Sequence, residues 1–385
     1  AGDCVDINTE NPSVVKYLTD AYSKYLDMGV DAFRMDTEKH INRWTLNHAF
    51  FPVFNQYKNF HLFGEVCARY HGAYNEGGSS DSCFFYTWNE TESAWQNNWS
   101  DSDWKSNYDN SVKHFQAHQN RDFDQTSDNA YLNGVSYHTP DYSKANGTST
   151  IDFPMHWAFK DANSAFGAAK GEDSLYNDAT WAVTYVDSHD YGPDGQEKTR
   201  YQGGASAWAE NMDLMFTFRG IPCIYYGSEI EFKKDVPIDV GPNAPLDKTG
   251  RAYFGDHLEG SVTADDYGKY TASGAVASTL DAPLSKHLEK LNQIRRAVPA
   301  LQKGQYTTDS NYVDGNMAYI RRYTNSSVDS LACVTISGDA TFKGLPNGTY
   351  IDAVTGDKKV VTGGTLSTSG ASGQGNMRVY VLQNS

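Results

Sequence analysis

Val15, Leu18, Tyr22 and Leu26 recur every three or four residues, the spacing that lines one face of a helix with apolar side chains. Asn11 is placed to cap that helix, Pro12 to begin it and Gly29 to end it. The period then changes to two. In the strand predicted over 30–36, Asp31, Phe33 and Met35 fall on one side, and Ala32, Arg34 and Asp36 on the other. A helix is predicted near 42–56 and a strand over 61–66 (HLFGEV). Residues 70–148 are rich in Asn, Asp, Ser, Tyr and Gly and read as a long elaborated loop region, with helical islands near 88–99 and 109–118. Regular alternation resumes with strand 149–153, helix 155–168, strand 181–187, helix 204–218 and strand 221–226. Residues 228–282 form a second Gly- and Asp-rich excursion. In helix 283–297, Leu284, Leu288, Leu291 and Ile294 share a face.

After Pro299 the texture becomes short β-rich runs (MAYIRRY, SLACVTI, GTYIDAV, NMRVYVL) separated by Gly, Asn and Ser turns, which predicts an all-β sandwich. Alternating strands and helices imply parallel strands joined by right-handed crossovers. The fold class expected is therefore α/β, part of a (β/α)8 TIM-type barrel over residues 1–299, followed by a β-sandwich domain over 300–385. Five strands precede the sandwich, so an eight-stranded barrel would lack its first three. An open parallel sheet of that size leaves edges and a core face uncovered.

Composition narrows the partners. The 385 residues carry a formal charge of −16, which makes nucleic acid and anionic membrane surfaces poor partners. With 26 Tyr and 8 Trp, a neutral ligand that stacks on rings, such as carbohydrate, suits the chain better. No apolar run reaches the ~18 residues of a membrane span. The chain opens on AGDC without a signal peptide, as expected of a processed protein or a piece of a longer one. The cysteines form no CxxC pair; Cys223 and Cys333 read as buried thiols, and Cys67 with Cys83 is the candidate bridge.

Candidate chemistry sits at strand ends. Arg34 and Asp36 point the same way, and a guanidinium so close keeps a carboxylate ionised, as a nucleophile at a sugar carbon must be. Glu65 ends an apolar strand, where desolvation favours the protonated acid. Asp190 follows AVTYVDSH, beside His189. In a parallel barrel the strand C-termini meet at one face, so Asp36, Glu65 and Asp190 are expected to converge there. One ionised and one protonated carboxyl is the glycoside-hydrolase arrangement.

The order of these motifs resembles the α-amylase family of glycoside hydrolases, in its C-terminal two-thirds. CVDINTENP resembles the segment leading into the third barrel helix, GVDAFRMDTEKH the fourth-strand motif, FGEV the fifth, VDSHD the seventh and GIPCIYYGSE the eighth; LPNGTYIDAVTG resembles the closing sandwich domain. The resemblance implies that Asp36 is the nucleophile, Glu65 the acid/base, and Asp190 the residue that binds hydroxyls of the distorted sugar. It implies that Arg34 and His189 position the nucleophile and the ring, and that Lys39 and His40 line the leaving-group side. It also implies a structural calcium, with the Asp6 carboxylate and the His40 backbone carbonyl as ligands. Ser188 departs from the asparagine of many relatives.

Barrel strands one to three and the inserted domain are absent from the sequence, so a missing N-terminal part of the barrel, as another segment or chain, is an expected partner. The implied activity is retaining endo-hydrolysis of α-1,4-glucosidic bonds in starch and related α-glucans. The alternatives are an α-glucan transglycosylase of the cyclodextrin-forming kind and a non-catalytic glucan-binding protein. A polymeric substrate implies a secreted or cell-surface enzyme. N-x-S/T sequons at Asn89, Asn98, Asn146, Asn325 and Asn347 are compatible with export.

Overall fold

The computed structural model describes residues 5–68, 73–75, 78–80, 82–89, 98–118, 125–266 and 269–383. The chain forms two compact units interleaved in sequence. The first comprises Ala1–Asn129, Pro140–Pro154 and Glu172–Val183; the second comprises Ala130–Thr139, Met155–Gly171 and Thr184–Ser385.

In the first unit, helix α1 (Pro12–Asp27) begins as its sequence predicts: the Asn11 side chain accepts the Ser13 N–H at 3.0 Å, and Pro12 takes the first turn. Gly29, at φ +92°, reverses the chain after it. Three parallel strands follow: β1 (Ala32–Met35), β2 (His61–Gly64) and β3 (Thr148–Thr150), in the order β1-β2-β3. Ala32 pairs with His61 and Met35 with Gly64; Leu62 pairs with Thr148 and Gly64 with Thr150. The alternation expected in β1 holds, with Phe33 and Met35 partly covered and Ala32 and Arg34 exposed. Phe33 packs edge-on against Tyr22, Phe54 and Phe60, which ties α1 to the sheet. A parallel bridge from Ile151 to Val183 extends the unit by one more strand position.

Several predicted elements are shorter or split. Strand 149–153 begins one residue earlier and ends at Thr150. Strands 181–187 and 221–226 shrink to Val183–Thr184 and Ile221–Pro222, because the chain beyond them is held by side chains rather than by ladder partners. Cys223, read as buried, lies exposed just past the end of its strand. Helix 155–168 is two helices, Phe153–Ala158 and Ala162–Glu172. Asp161 starts the second by accepting the Ser164 N–H at 2.7 Å. The helix expected over 109–118 starts earlier, at Trp104, where Asp103 accepts the Lys105 and Ser106 amides. Most of the expected helical island at 88–99 lies outside the described residues. Cys67 and Cys83 are not bonded to each other, so the candidate bridge is not formed. Asn146 is buried, its amide donating to Tyr86 and Asn47, so that sequon is closed to a glycan.

In the second unit the β-rich part forms an antiparallel six-stranded sheet and a three-stranded one between Gln305 and Leu382. Ile320, Leu331, Cys333, Phe342, Tyr350 and Tyr380 fill its core. Leu132, from the stretch read as loop, packs into that same core. No helix among the described residues is long and apolar enough to cross a membrane.

Candidate active site

Arg34 leaves the exposed face of β1, and its guanidinium joins two acids. Nη1 lies 2.7 Å from Asp36 Oδ1, and Nη2 lies 3.2 Å from Glu65 Oε2. The parallel register explains the pairing. Met35 sits opposite Gly64, and the Glu65 N–H donates to the Met35 carbonyl at 2.8 Å, so the residues just past each strand end are neighbours. Asp36 is open to solvent, with 69% of its side chain exposed, whereas Glu65 retains 10%. Burial pushes the Glu65 carboxyl above the usual carboxylate range. The Arg34 charge and the Thr37 amide pull it back, while a hydrogen bond and the charge of Asp36 raise it further. An exposed, arginine-paired carboxyl therefore stands beside a largely buried one biased towards its acid form.

The surroundings are built from the same motif. Lys39 Nζ donates to the Cys67 carbonyl at 2.8 Å and so tethers the segment that follows Glu65. The Tyr86 hydroxyl donates to the Lys39 and Ile41 carbonyls. Glu38, between these functional positions, is fully buried with neither carboxyl oxygen hydrogen-bonded. Its Oε2 lies 1.3 Å from where a Cβ on residue 64 would be, which requires glycine at 64. Desolvation holds the Glu38 carboxyl well above its ordinary range. Sequence reasoning missed this residue, since a Glu in a charged motif reads as solvated.

A cavity of about 690 Å³ opens beside Asp36 and is lined in part by Asp6, Phe33, Arg34 and His40. His40 is exposed, and its imidazole is held below its ordinary range by partial burial and by Lys39. Asp6 is exposed and close enough to His40 to act on its charge. As a calcium site, the Asp6 carboxylate and the His40 carbonyl would supply two of the six to eight oxygens that the ion takes. Among the described residues no group of three or more His, Cys, Asp or Glu could hold a metal.

Asp190 and His189 lie in the second unit, on a turn fixed by Ser188. The Ser188 hydroxyl accepts the Asp190 and Tyr191 amides at 3.1 Å each. His189 Nε2 is 3.0 Å from Asp190 Oδ2, and Arg251 Nη2 is 2.8 Å from Oδ1. Arg251 also donates from Nε to the His189 carbonyl, clamping both residues at once. Beneath the turn, buried Asp187 accepts from Ser228 Oγ at 2.9 Å and pairs with Arg200 Nε at 3.3 Å. Arg200 in turn lies 4.2 Å from the Tyr225 ring centroid and donates to the Tyr226 carbonyl. This links the VDSHD motif to the IYYGSE motif. Arg200 and Arg251 carry no local sequence signature; each is a lone arginine in a polar stretch.

Comparison with known proteins now decides the family. The family description "Alpha amylase, catalytic domain" matches residues 2–304. The chain belongs to the α-amylase family. It is 22% identical to a cyclomaltodextrin glucanotransferase of Bacillus sp. (strain 38-2), over 96% of this chain and 39% of that protein. It is 24% identical to an alpha-amylase of Streptomyces lividans, over 88% of this chain and 33% of that protein. The chain thus spans about two fifths or less of these relatives. Among solved structures, an alpha-amylase from Geobacillus thermoleovorans superposes with a TM-score of 0.55 at 16% identity, covering 97% of this chain and 65% of that one. The cyclomaltodextrin glucanotransferase CldA gives 0.55 at 17% identity, covering 99% and 62%. The fold class of this α-amylase-family chain is therefore α/β, a (β/α)8-type barrel portion with a β-rich domain.

Proposed function

We propose that the chain carries the catalytic groups of a retaining enzyme that hydrolyses internal α-1,4-glucosidic bonds of starch-like glucans. The observation that supports this most is the Asp36–Arg34–Glu65 cluster at adjacent strand ends, with its exposed and buried carboxyls. In the first step Asp36 attacks the anomeric carbon, the glycosidic C–O bond breaks, and Glu65 gives its proton to the departing oxygen. In the second, Glu65, now a carboxylate, takes a proton from water; the water oxygen attacks the same carbon, and the ester to Asp36 breaks. Retention of anomeric configuration is the outcome expected of a nucleophile–acid pair roughly 5–5.5 Å apart. The family resemblance gives Asp190, in the second unit, the role of the third carboxylate. His189 and Arg251 orient it, as their contacts with its two oxygens suggest.

The relative named as a cyclomaltodextrin glucanotransferase favours a second reading, in which another sugar replaces water in the second step. Products from soluble starch separate the two: linear malto-oligosaccharides for hydrolysis, cyclic ones for transfer. Asp36→Asn tests the nucleophile. Turnover is expected to fall on the order of 10⁴-fold while starch binding persists; unchanged turnover would remove Asp36 from the mechanism. A polymer of this kind is too large to enter cells, so we propose that the enzyme acts outside them, secreted or on the cell surface. We further propose that more of the barrel, as another segment or chain, covers the free edge of β1 and the cavity beside Asp36.

A further inference from the structure

The first unit contains a second cavity, of about 240 Å³, which the proposed chemistry does not use. It is lined along β3, from Thr148 to Thr150, and by the start of β2. His61, which lines it, is the first residue of β2, whereas Glu65 follows the last, roughly 13 Å away at about 3.3 Å per residue. Its mouth is aromatic. Trp181 is 45% exposed and Tyr142 47%. They are fixed in place nonetheless. The Trp181 indole N–H donates to the Tyr142 hydroxyl at 3.3 Å, and that hydroxyl donates to Asp178 Oδ2 at 2.7 Å. The His61 ring lies 5.0 Å from that of Trp181, tilted by 34°, and its Nε2 is held 2.8 Å from Ser149 Oγ. A polar group remains unused within this frame: Asn177, only 4% exposed, lines the cavity with its side-chain Nδ2 buried and without a partner. A buried donor left unsatisfied is costly, so the cavity is shaped for a guest that accepts a hydrogen bond.

We propose that this cavity is a second saccharide-binding site, in which one pyranose ring of an α-glucan stacks on Trp181 and accepts a hydrogen bond from Asn177. The volume falls below the roughly 300–1,000 Å³ of sites for larger ligands, so it takes a single ring. The bracketing aromatics match the apolar C–H face of a pyranose, and Asp178 can accept from its hydroxyls. The chain's charge of −16 disfavours an anionic guest. The proposal rests on the glucan reading for the identity of the sugar. Its role is to hold polymer on the enzyme away from the reacting bond.

The test compares the protein with its Trp181→Ala variant in two assays: retardation on native gels containing soluble starch, and kcat/KM on a short chromogenic maltoside. The variant is expected to lose at least about fivefold in starch affinity, the loss of one stacking anchor, with kcat/KM on the short substrate unchanged. Equal retardation of the two proteins overturns the proposal. A measurement on the unaltered protein removes any dependence on folding of the variant. Tryptophan oxidation by N-bromosuccinimide is mapped by peptide mass spectrometry with and without maltotriose. Maltotriose is expected to protect Trp181 and not Trp104, which is 48% exposed on a helix elsewhere in the unit. Equal oxidation of Trp181 with and without maltotriose overturns the site. Protection of Trp181 in a protein that cleaves no α-glucan would instead keep the site and sink the catalytic reading.

Discussion

Glu38 and Glu65 stand three residues beyond β1 and one beyond β2, and both carboxyls are pushed towards their acid forms, for different reasons. Glu65 keeps an arginine, a backbone amide and a neighbouring acid, so its protonation responds to chemistry at the site. Glu38 has only burial. A carboxyl whose folded value is raised binds its proton more tightly in the native chain than in the unfolded one. Stability from this residue is therefore greatest below its ordinary value of 4.5 and is lost as pH rises from there through the folded value. Glu38→Met fills a similar volume without a charge. It is expected to stabilise the protein at pH 7 by about 1–3 kcal/mol in urea unfolding, with the gain shrinking as pH falls towards 4.5 and levelling off below it. A gain independent of pH would show that Glu38 is not held neutral. Gly64 belongs to the same unit of packing: its missing side chain is the space the Glu38 carboxyl occupies.

The segments 184–191 and 221–230 show why barrel strands can be short and still display side chains at fixed places. After Thr184 the chain is anchored by Asp187, whose carboxylate meets Arg200, Ser228 and the Tyr201 amide in a buried cluster. That anchor sets where Ser188 begins its turn, and the turn sets where His189 and Asp190 emerge. Asp187→Asn leaves Arg200 buried without its counter-charge. The expected cost is about 3–5 kcal/mol by denaturant titration, with kcat on starch reduced because Asp190 loses its support. A variant with wild-type stability would mean that Arg200 is compensated by its carbonyl and ring contacts alone.

For the molecule as a whole, β1 is an edge strand among the described residues, and the apolar residues near it stay open: Val5 is 91% exposed, Met28 80% and Tyr25 55%. An uncovered parallel-strand edge beside an apolar surface favours association. The 385 residues by themselves are expected to bind a hydrophobic dye, to melt without a sharp transition and to hydrolyse starch poorly. Addition of the segment that covers this edge is expected to restore both cooperativity and activity. Cooperative melting with full starch hydrolysis by the isolated chain would refute the need for that segment.

Much of the architecture was legible in the residue order. The capped helix over 12–27, the alternation in 32–35 and the β-rich texture after 299 are local patterns, set by propensity and by which face must be covered. The positions of Asp36 and Glu65, just past β1 and β2, were legible for the same reason, because a strand fixes the direction of each side chain relative to its neighbours; Asp190 instead stands on a turn six residues beyond Thr184. Partners far apart in the chain were not. Arg251 on Asp190, Arg200 on Asp187, Leu132 in the sandwich core and the burial of Glu38 against Gly64 depend on which segments fold back on which. The environment of a charge, unlike its identity, is a property of three-dimensional neighbours: the same glutamate is solvated in a loop and neutral in a core, and only the packed chain settles which.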